Sequence, residues 1–195
     1  EGIIISSYAI RSHKSYIYIR GEYGKAGRIL NEAISEAYGK GYLGKRILGS
    51  KHDLELVLHR GAGAYICGEE TGLISSLEGK KGYPKLKPPF PAVSGYLGCP
   101  SVVNNVETLY TIRWILEHGG QAYSAYGTAN SKGTRLFCLS GWVNTPGTYE
   151  EELGVGLLEF IHHYGGGIKA GGKLKAVIPG GSSTPPLTAN EVEHA

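Results

Sequence analysis

The sequence has 195 residues, of which 41% are hydrophobic and 19% are charged, and its formal net charge is +3. This composition can supply a buried core and excludes a disordered tail. The small net charge, with no run of like charges, gives no indication of nucleic-acid binding, and no apolar run is long enough to cross a membrane, so direct membrane insertion is not expected.

The first part of the chain alternates helix and strand patterns. We expect the end of a helix over residues 1–14, a strand over 15–20, a helix over 22–38 and a strand over 53–58. This order predicts an α/β unit with a parallel sheet. A glycine-rich loop over 61–68, a short helix over 69–77, a long loop over 80–101 and a helix over 104–117 are expected to follow.

A domain boundary is predicted near residue 130, where the segment Asn130-Ser-Lys-Gly133 interrupts the pattern. After it we expect strands over 134–140 and 147–150 in a hairpin, a helix over 155–164 and a strand over 174–178. That order fits a small β-grasp domain. The predicted organisation is an α/β domain over residues 1–130 followed by a β-grasp domain over residues 131–195.

Glycine and cysteine usage narrows the chemistry. The 31 glycines occur in clusters and not in a regular repeat, which indicates turns and places where backbone approaches a ligand. Cys67, Cys99 and Cys138 form no Cys-x-x-Cys pair, so their spacing assigns neither an iron–sulfur cluster nor a zinc site. Their odd number favours reduced thiols in a cytosolic or matrix compartment.

The glycine-rich loop precedes two acids. Gly63-x-x-x-x-Gly68 has the spacing of a phosphate-binding loop, but Glu69 and Glu70 stand where such a loop has Lys and Ser or Thr. Two carboxylates would repel a triphosphate, so a site for ATP or GTP is not expected. The acids have two interpretations: they complement the dipole at the start of a helix, or a carboxylate accepts hydrogen bonds from ribose hydroxyls or an amide.

The long loop carries the segment Lys87-Pro-Pro-Phe90-Pro91. Consecutive prolines favour polyproline II, which has three residues per turn, so we expect Lys87 and Phe90 to project from the same side. A cation beside an aromatic ring suits a dinucleotide, with charge for the pyrophosphate and a stacking face for a base. The alternatives are an ordinary proline-rich surface loop and a PxxP ligand for a partner domain.

The segment from Asn104 to Thr108 matches a capping box, with Asn104 at the N-cap and Glu107 three positions later. The pattern leaves Asn105 and Thr108 beside free N–H groups at a positive helix end, where phosphate binds readily. A cap and an anion site are compatible here.

Five motifs together carry a family resemblance. They are Gly61-Ala-Gly-Ala-Tyr-Ile-Cys-Gly-Glu-Glu-Thr71, Ser76-Leu-Glu-Gly79, Leu86-Lys-Pro-Pro-Phe-Pro91, Val103-Asn-Asn-Val-Glu-Thr108 and Ile178-Pro-Gly-Gly-Ser-Ser-Thr-Pro185. In this order the chain closely resembles the NADH- and FMN-binding flavoprotein subunit of respiratory complex I, NADH:quinone oxidoreductase. The same family includes the diaphorase subunits of NAD-reducing hydrogenases and NAD-linked formate dehydrogenases.

The resemblance implies a Rossmann-like flavin-binding domain, present in part, followed by a ubiquitin-like β-grasp domain. It implies hydride transfer from NADH to FMN, with no side chain acting as acid or base. The implied contacts fall into three sets. Those of the flavin ring are Tyr65, Gly68, Glu69 and Glu70, those of NAD(H) are Glu70, Lys87 and Phe90, and those of the ribityl chain and phosphate are Val103, Asn104, Asn105 and Thr108.

The resemblance also implies an assembly. Electrons would pass to iron–sulfur clusters and finally to quinone, through a thioredoxin-like 2Fe-2S subunit and a multi-cluster subunit of the peripheral arm. The expected location is the cytoplasmic side of the bacterial inner membrane or the matrix side of the mitochondrial one. The family's N-terminal glycine-rich flavin loop and its C-terminal 4Fe-4S domain do not match any part of this sequence, so we expect the chain to be an internal fragment that is not active alone.

Two alternatives remain open from the sequence. The chain can belong to the diaphorase of a hydrogenase or formate dehydrogenase, or it can be a non-catalytic binding or assembly module with a β-grasp domain and a proline-rich loop.

Overall fold

The structure is a computed structural model that describes residues 1–181 and 183–194. Ser182, which belongs to the Ile178–Pro185 motif, and Ala195 lie outside the described residues. Contacts divide the chain into two compact units, Glu1–Arg113 and Trp114–Ala195. The described part is a mixed α/β protein whose strands form small two-stranded sheets, which confirms the α/β class at this level.

The first unit is built on a strand–helix–strand arrangement. Its elements in chain order are α1 (Gly2–Ile10), β1 (Lys14–Ile19), α2 (Gly24–Gly39) and β2 (Glu55–Arg60). The two strands pair in parallel, from Lys14 opposite Glu55 to Ile19 opposite Arg60. Because parallel strands need a long crossover connection, α2 lies between them in sequence. The predicted parallel α/β unit is confirmed.

An apolar cluster packs the helices and strands of the first unit together. Its buried members are Ile17, Leu43, Ile47, Leu54 and Leu56. The helix α2 contributes Leu30, Ile34 and Ala37, which are partly buried against this cluster and recur at helical spacing.

Two further helices flank the long loop of the first unit. A 3-10 turn over Tyr65–Gly68 leads into α3 (Glu70–Leu77), and α4 (Val106–His118) begins after the loop. The loop has one short 3-10 turn, Tyr96–Gly98, within its described course. The predicted helix, loop and helix are therefore confirmed, with α4 beginning two residues later than expected.

The second unit combines hairpins with short helices. Its elements are α5 (Gly120–Tyr123), β3 (Thr134–Leu139), β4 (Gly147–Glu152), α6 (Leu157–His163), β5 (Ala176–Val177), β6 (Leu187–Thr188) and α7 (Ala189–Val192). Both strand pairs are antiparallel, β3 with β4 and β5 with β6. The core cluster consists of Val143, Ile161 and Val192. The predicted hairpin and helix are confirmed, and the strand expected over 174–178 is shorter.

The division into compact units differs from the predicted domain boundary. The contact-based division falls between Arg113 and Trp114, whereas the sequence predicts a domain boundary at residue 130. Compact units defined by contacts need not coincide with evolutionary domains, so the boundary stays a prediction.

Among the helices in residues 1–181 and 183–194, none combines the length and apolar character that a membrane span requires.

Candidate functional site

The glycine-rich segment after β2 leads into an exposed turn. Gly61 lies against Tyr18 of β1, whose hydroxyl occupies the space that a Cβ would need. Gly63 has a φ of +83°, in the left-handed region that favours glycine. In the following turn Tyr65 is 93% exposed, and Gly68 is exposed as well. An uncovered aromatic ring therefore stands next to the start of α3.

Glu69 is the N-cap of α3. One of its carboxylate oxygens accepts hydrogen bonds from the backbone N–H groups of Thr71 and Gly72, both at 2.9 Å, and from the Thr71 hydroxyl at 2.5 Å. These bonds satisfy N–H groups that have no partner within the helix. The hydroxyl bond, then the two N–H groups and the charge of Lys87, lower the pKa of Glu69 against the opposing effect of desolvation.

Lys87 extends from the long loop to the start of α3. Its Nζ donates to Oε1 of Glu70 and lies 3.7 Å from Oε1 of Glu69. The hydrogen bond to Glu70 raises the pKa of Lys87, with a smaller contribution from the charges of both acids. The side chains of Lys87 and Glu70 are 30% and 34% exposed, so the pair remains accessible to a ligand.

The segment that contains Phe90 departs from the sequence-based expectation. The chain bends over residues 87–89, so the predicted straight polyproline II segment is wrong. On either side of the bend, Lys87 pairs with the acids of α3, and the Phe90 carbonyl accepts from the N–H groups of Val93 at 2.9 Å and Ser94 at 3.0 Å. Phe90 is 56% exposed, as a stacking residue would have to be.

The start of α4 also corrects a prediction. The helix begins at Val106, and Oδ1 of Asn105 accepts from the N–H of Glu107 at 2.9 Å. Asn105, and not Asn104, is therefore the capping residue. The capping-box pattern, with Glu107 three positions after the cap, fits Asn104, but it is the side chain of Asn105 that accepts from the backbone N–H of Glu107.

The α4 end has groups of the kind that a flavin phosphate would need. Val103, Asn104, Asn105 and Thr108 are all exposed. Amide and hydroxyl side chains beside the positive end of a 13-residue helix are suitable donors for a phosphate. The residues present therefore fit the phosphate end of FMN.

The structure brings only some of the predicted site residues into contact. Glu69, Glu70 and Lys87 interact directly, and Tyr65 and Gly68 precede them along the chain. Phe90 instead bonds within its own loop, to Val93 and Ser94, and Asn105 bonds to Glu107 of α4.

Two residues that the sequence did not single out support this region. Thr71 is 4% exposed, and its hydroxyl oxygen accepts from the N–H of Lys85 at 2.7 Å. The side chain of Glu78 is 4% exposed and accepts from the N–H of Leu97 at 2.9 Å. No local pattern could reveal either contact, because each partner is more than ten residues away along the chain.

Comparisons with known proteins agree with this description. The family described as the Nuo51 FMN-binding domain matches residues 1–114, and the family described as the SLBB domain matches residues 135–195. Among curated relatives, an NADH-quinone oxidoreductase subunit of Mycobacterium bovis is 52% identical over 193 residues, covering 99% of this chain and 43% of the relative. The protein of the same name in Rickettsia typhi is 50% identical over 196 residues, covering 99% of this chain and 47% of the relative.

A solved structure is similar over nearly the whole chain. The crystal structure of an NAD⁺-reducing [NiFe]-hydrogenase in the H₂-reduced state has a TM-score of 0.82 and 38% identity, and the match covers 98% of this chain and 32% of that one. The chain spans less than half the length of the two curated relatives. The resemblance carried by the five motifs is confirmed, and the chain belongs to the family of the Nuo51 FMN-binding domain.

Proposed function

We propose that this chain forms part of the FMN- and NADH-binding region of an NADH:quinone oxidoreductase flavoprotein subunit. The observation that carries the proposal is the meeting of Lys87 with Glu70 and Glu69 at the accessible start of α3, in a chain of the Nuo51 FMN-binding family. When bound, FMN would supply an acceptor that takes a hydride from NADH and releases electrons singly.

The residues of this chain would bind and orient the two ligands. We assign Tyr65, Gly68, Glu69 and Glu70 to the surroundings of the flavin ring, and the residues at the start of α4, Val103, Asn104, Asn105 and Thr108, to its ribityl chain and phosphate. Exposure of Tyr65 and of the α4 end supports these assignments. No side chain is required as a general acid or base.

Lys87 and Phe90 would hold the dinucleotide. The ammonium of a lysine is charged at neutral pH, and it binds phosphate as a point charge. A pyrophosphate would compete with Glu70 for this ammonium, while the half-exposed ring of Phe90 would stack on the adenine.

The proposal extends to fold and assembly. The parallel pair β1–β2 with its crossover helix is suitable as part of a Rossmann-like flavin domain, and the hairpins and helix of the second unit are suitable for a β-grasp domain. Electrons would leave through a 4Fe-4S cluster of the parent subunit, then a thioredoxin-like 2Fe-2S subunit and a multi-cluster subunit. The complete assembly would lie at the cytoplasmic side of the bacterial inner membrane or the matrix side of the mitochondrial one.

A diaphorase subunit is the second candidate. The similarity to an NAD⁺-reducing hydrogenase favours it, at 38% identity. Relatives that are named as NADH-quinone oxidoreductase subunits reach 52%, so we place the quinone-linked function first. Copurification with either hydrogenase or quinone-reducing subunits from the native source distinguishes the two.

The test uses two aromatic residues of the same loop. In the complete protein that contains this chain, we expect Phe90→Ala to raise the KM for NADH about tenfold, since a base–aromatic stack contributes about 1–3 kcal/mol. Tyr83→Ala is the matched control, because Tyr83 is 62% exposed against 56% for Phe90. NADH-dependent ferricyanide reduction measures both variants.

The outcomes separate the hypotheses. An equal KM for Phe90→Ala, Tyr83→Ala and the wild type would remove Phe90 from the nucleotide site. A protein that binds FMN and oxidises no NADH would contradict the proposed activity and favour a non-catalytic binding or assembly module.

A further inference from the structure

The long loop is attached to the first turn of α3 shortly before Lys87. The buried Thr71 hydroxyl accepts from the N–H of Lys85 at 2.7 Å and donates to the N-cap carboxylate of Glu69 at 2.5 Å. One hydroxyl group therefore links the helix cap to the loop backbone, two residues before Lys87.

A second attachment lies after Phe90, at the other end of α3. Glu78 accepts from the N–H of Leu97 at 2.9 Å, and its other carboxylate oxygen accepts from Nζ of Lys80 at 2.7 Å. These bonds lower the pKa of Glu78, the one from Lys80 most, so its carboxylate stays charged at neutral pH. The two attachments enclose the segment that contains Lys87 and Phe90.

Part of the loop between the attachments is separated from α3 by a cavity. A cavity of about 60 Å³ lies there, lined by Thr71 and Ile74 of the helix and by Leu86, Pro89, Pro91 and Ser94 of the loop. The cavity interrupts side-chain packing between the loop and α3 at this place. The hydrogen bonds of Thr71 and Glu78 constrain the loop backbone on both sides of this cavity.

We propose that Thr71 and Glu78 are positioning residues, which attach the loop to both ends of α3 so that Lys87 and Phe90 meet the dinucleotide in a fixed arrangement. This inference rests on the proposed function, because Lys87 and Phe90 must first be nucleotide contacts. Neither Thr71 nor Glu78 need touch the nucleotide itself. Loss of an attachment would add a cost in ordering entropy for the loop when NADH binds.

The experiment compares Thr71→Val with Thr71→Ser in the complete protein. Valine keeps the shape but leaves the Lys85 N–H without its acceptor, and serine retains the hydroxyl. We expect Thr71→Val to raise the KM for NADH about tenfold with kcat within about twofold, and Thr71→Ser to stay near the wild type. Glu78→Ala should raise the KM in the same direction.

Hydrogen exchange provides the readout that does not depend on activity. We expect the amides of Lys85, Leu86 and Lys87 to exchange faster in Thr71→Val than in Thr71→Ser. Unchanged exchange in Thr71→Val would overturn the attachment, and faster exchange with an unchanged KM would overturn the positioning role. A wild-type protein that oxidises no NADH would instead overturn the proposed function and the nucleotide part of this inference, while exchange would still decide the attachment.

Discussion

Glu69 and Glu70 are adjacent in sequence, but their carboxylates have different partners. Glu69 directs one oxygen at the N–H groups of α3, whereas Glu70 pairs with Lys87. The helix-start interpretation of the acids therefore accounts for Glu69, and Glu70 is the acid that bonds directly to Lys87. The structure thus distinguishes the acid that caps α3 from the acid that pairs with Lys87, which the sequence spacing could not do.

This difference predicts the effect of substitution on stability. We expect Glu69→Ala to lower the free energy of unfolding by about 1 kcal/mol, because it removes an N-cap acceptor. Glu70→Ala is the matched control and should have a smaller effect, since Glu70 is not the cap of α3. Urea denaturation measures both, and an equal loss in the two variants would show that the cap is not the stabilising feature.

The charge of Glu69 adds a dependence on pH. Its pKa in the folded chain lies below the ordinary value of 4.5, so the ionised carboxylate stabilises the fold above about pH 4.5 and this contribution is lost as the pH falls through the folded pKa. Glu69→Gln retains an acceptor oxygen without charge. The difference in unfolding free energy between wild type and Glu69→Gln should therefore shrink as the pH falls below about 4.5. A difference that persisted at low pH would contradict this explanation.

At the level of elements, α4 offers two neighbouring asparagines that only the structure distinguishes. Both are exposed, and Oδ1 of Asn105 accepts from the N–H of Glu107. We expect Asn105→Ala to lower the free energy of unfolding by about 1 kcal/mol and Asn104→Ala to have little effect. Thermal or urea denaturation of the two variants tests the assignment, and the reverse order would restore Asn104 as the cap.

A test of flavin binding at the start of α4 needs a variant that preserves the N-cap hydrogen bond of this helix. Asn105→Asp keeps an acceptor for the Glu107 N–H and adds a negative charge at the proposed phosphate position. We expect this variant to retain stability yet bind FMN more weakly than the wild type, as measured by quenching of flavin fluorescence. Unchanged FMN binding would place the phosphate elsewhere.

The elements that the sequence predicted well are those with strong local patterns. The apolar spacing of α2 and the β-branched run of β1 identified the parallel unit. Burial of one face of a helix or of a strand produces a periodic pattern of apolar residues that can be recognised from adjacent positions in the sequence. The contact of Lys87 with the start of α3 could not be predicted, because Glu70 lies 17 residues away along the chain. The same holds for Thr71 and Glu78, whose backbone partners are distant in sequence.

At the scale of the whole chain, each compact unit has its own buried cluster. Ile17 belongs to the first and is 8% exposed, and Ile161 belongs to the second and is 2% exposed. No described residue is a member of both clusters. Substitutions in separate clusters without shared partners are expected to act independently.

Matched substitutions in the two clusters test this independence. Ile17→Val and Ile161→Val each remove one buried methylene group, at a cost of about 1 kcal/mol, which raises the local opening equilibrium about fivefold. We expect Ile17→Val to speed hydrogen exchange in β1 and β2 while β3 and β4 keep their rates, and Ile161→Val to do the reverse. Ile29→Val, at a position that is 55% exposed on α2, should change neither. If Ile17→Val accelerated exchange in all four strands alike, the two clusters would unfold as one cooperative core, and the division of the chain into two units would have no energetic counterpart.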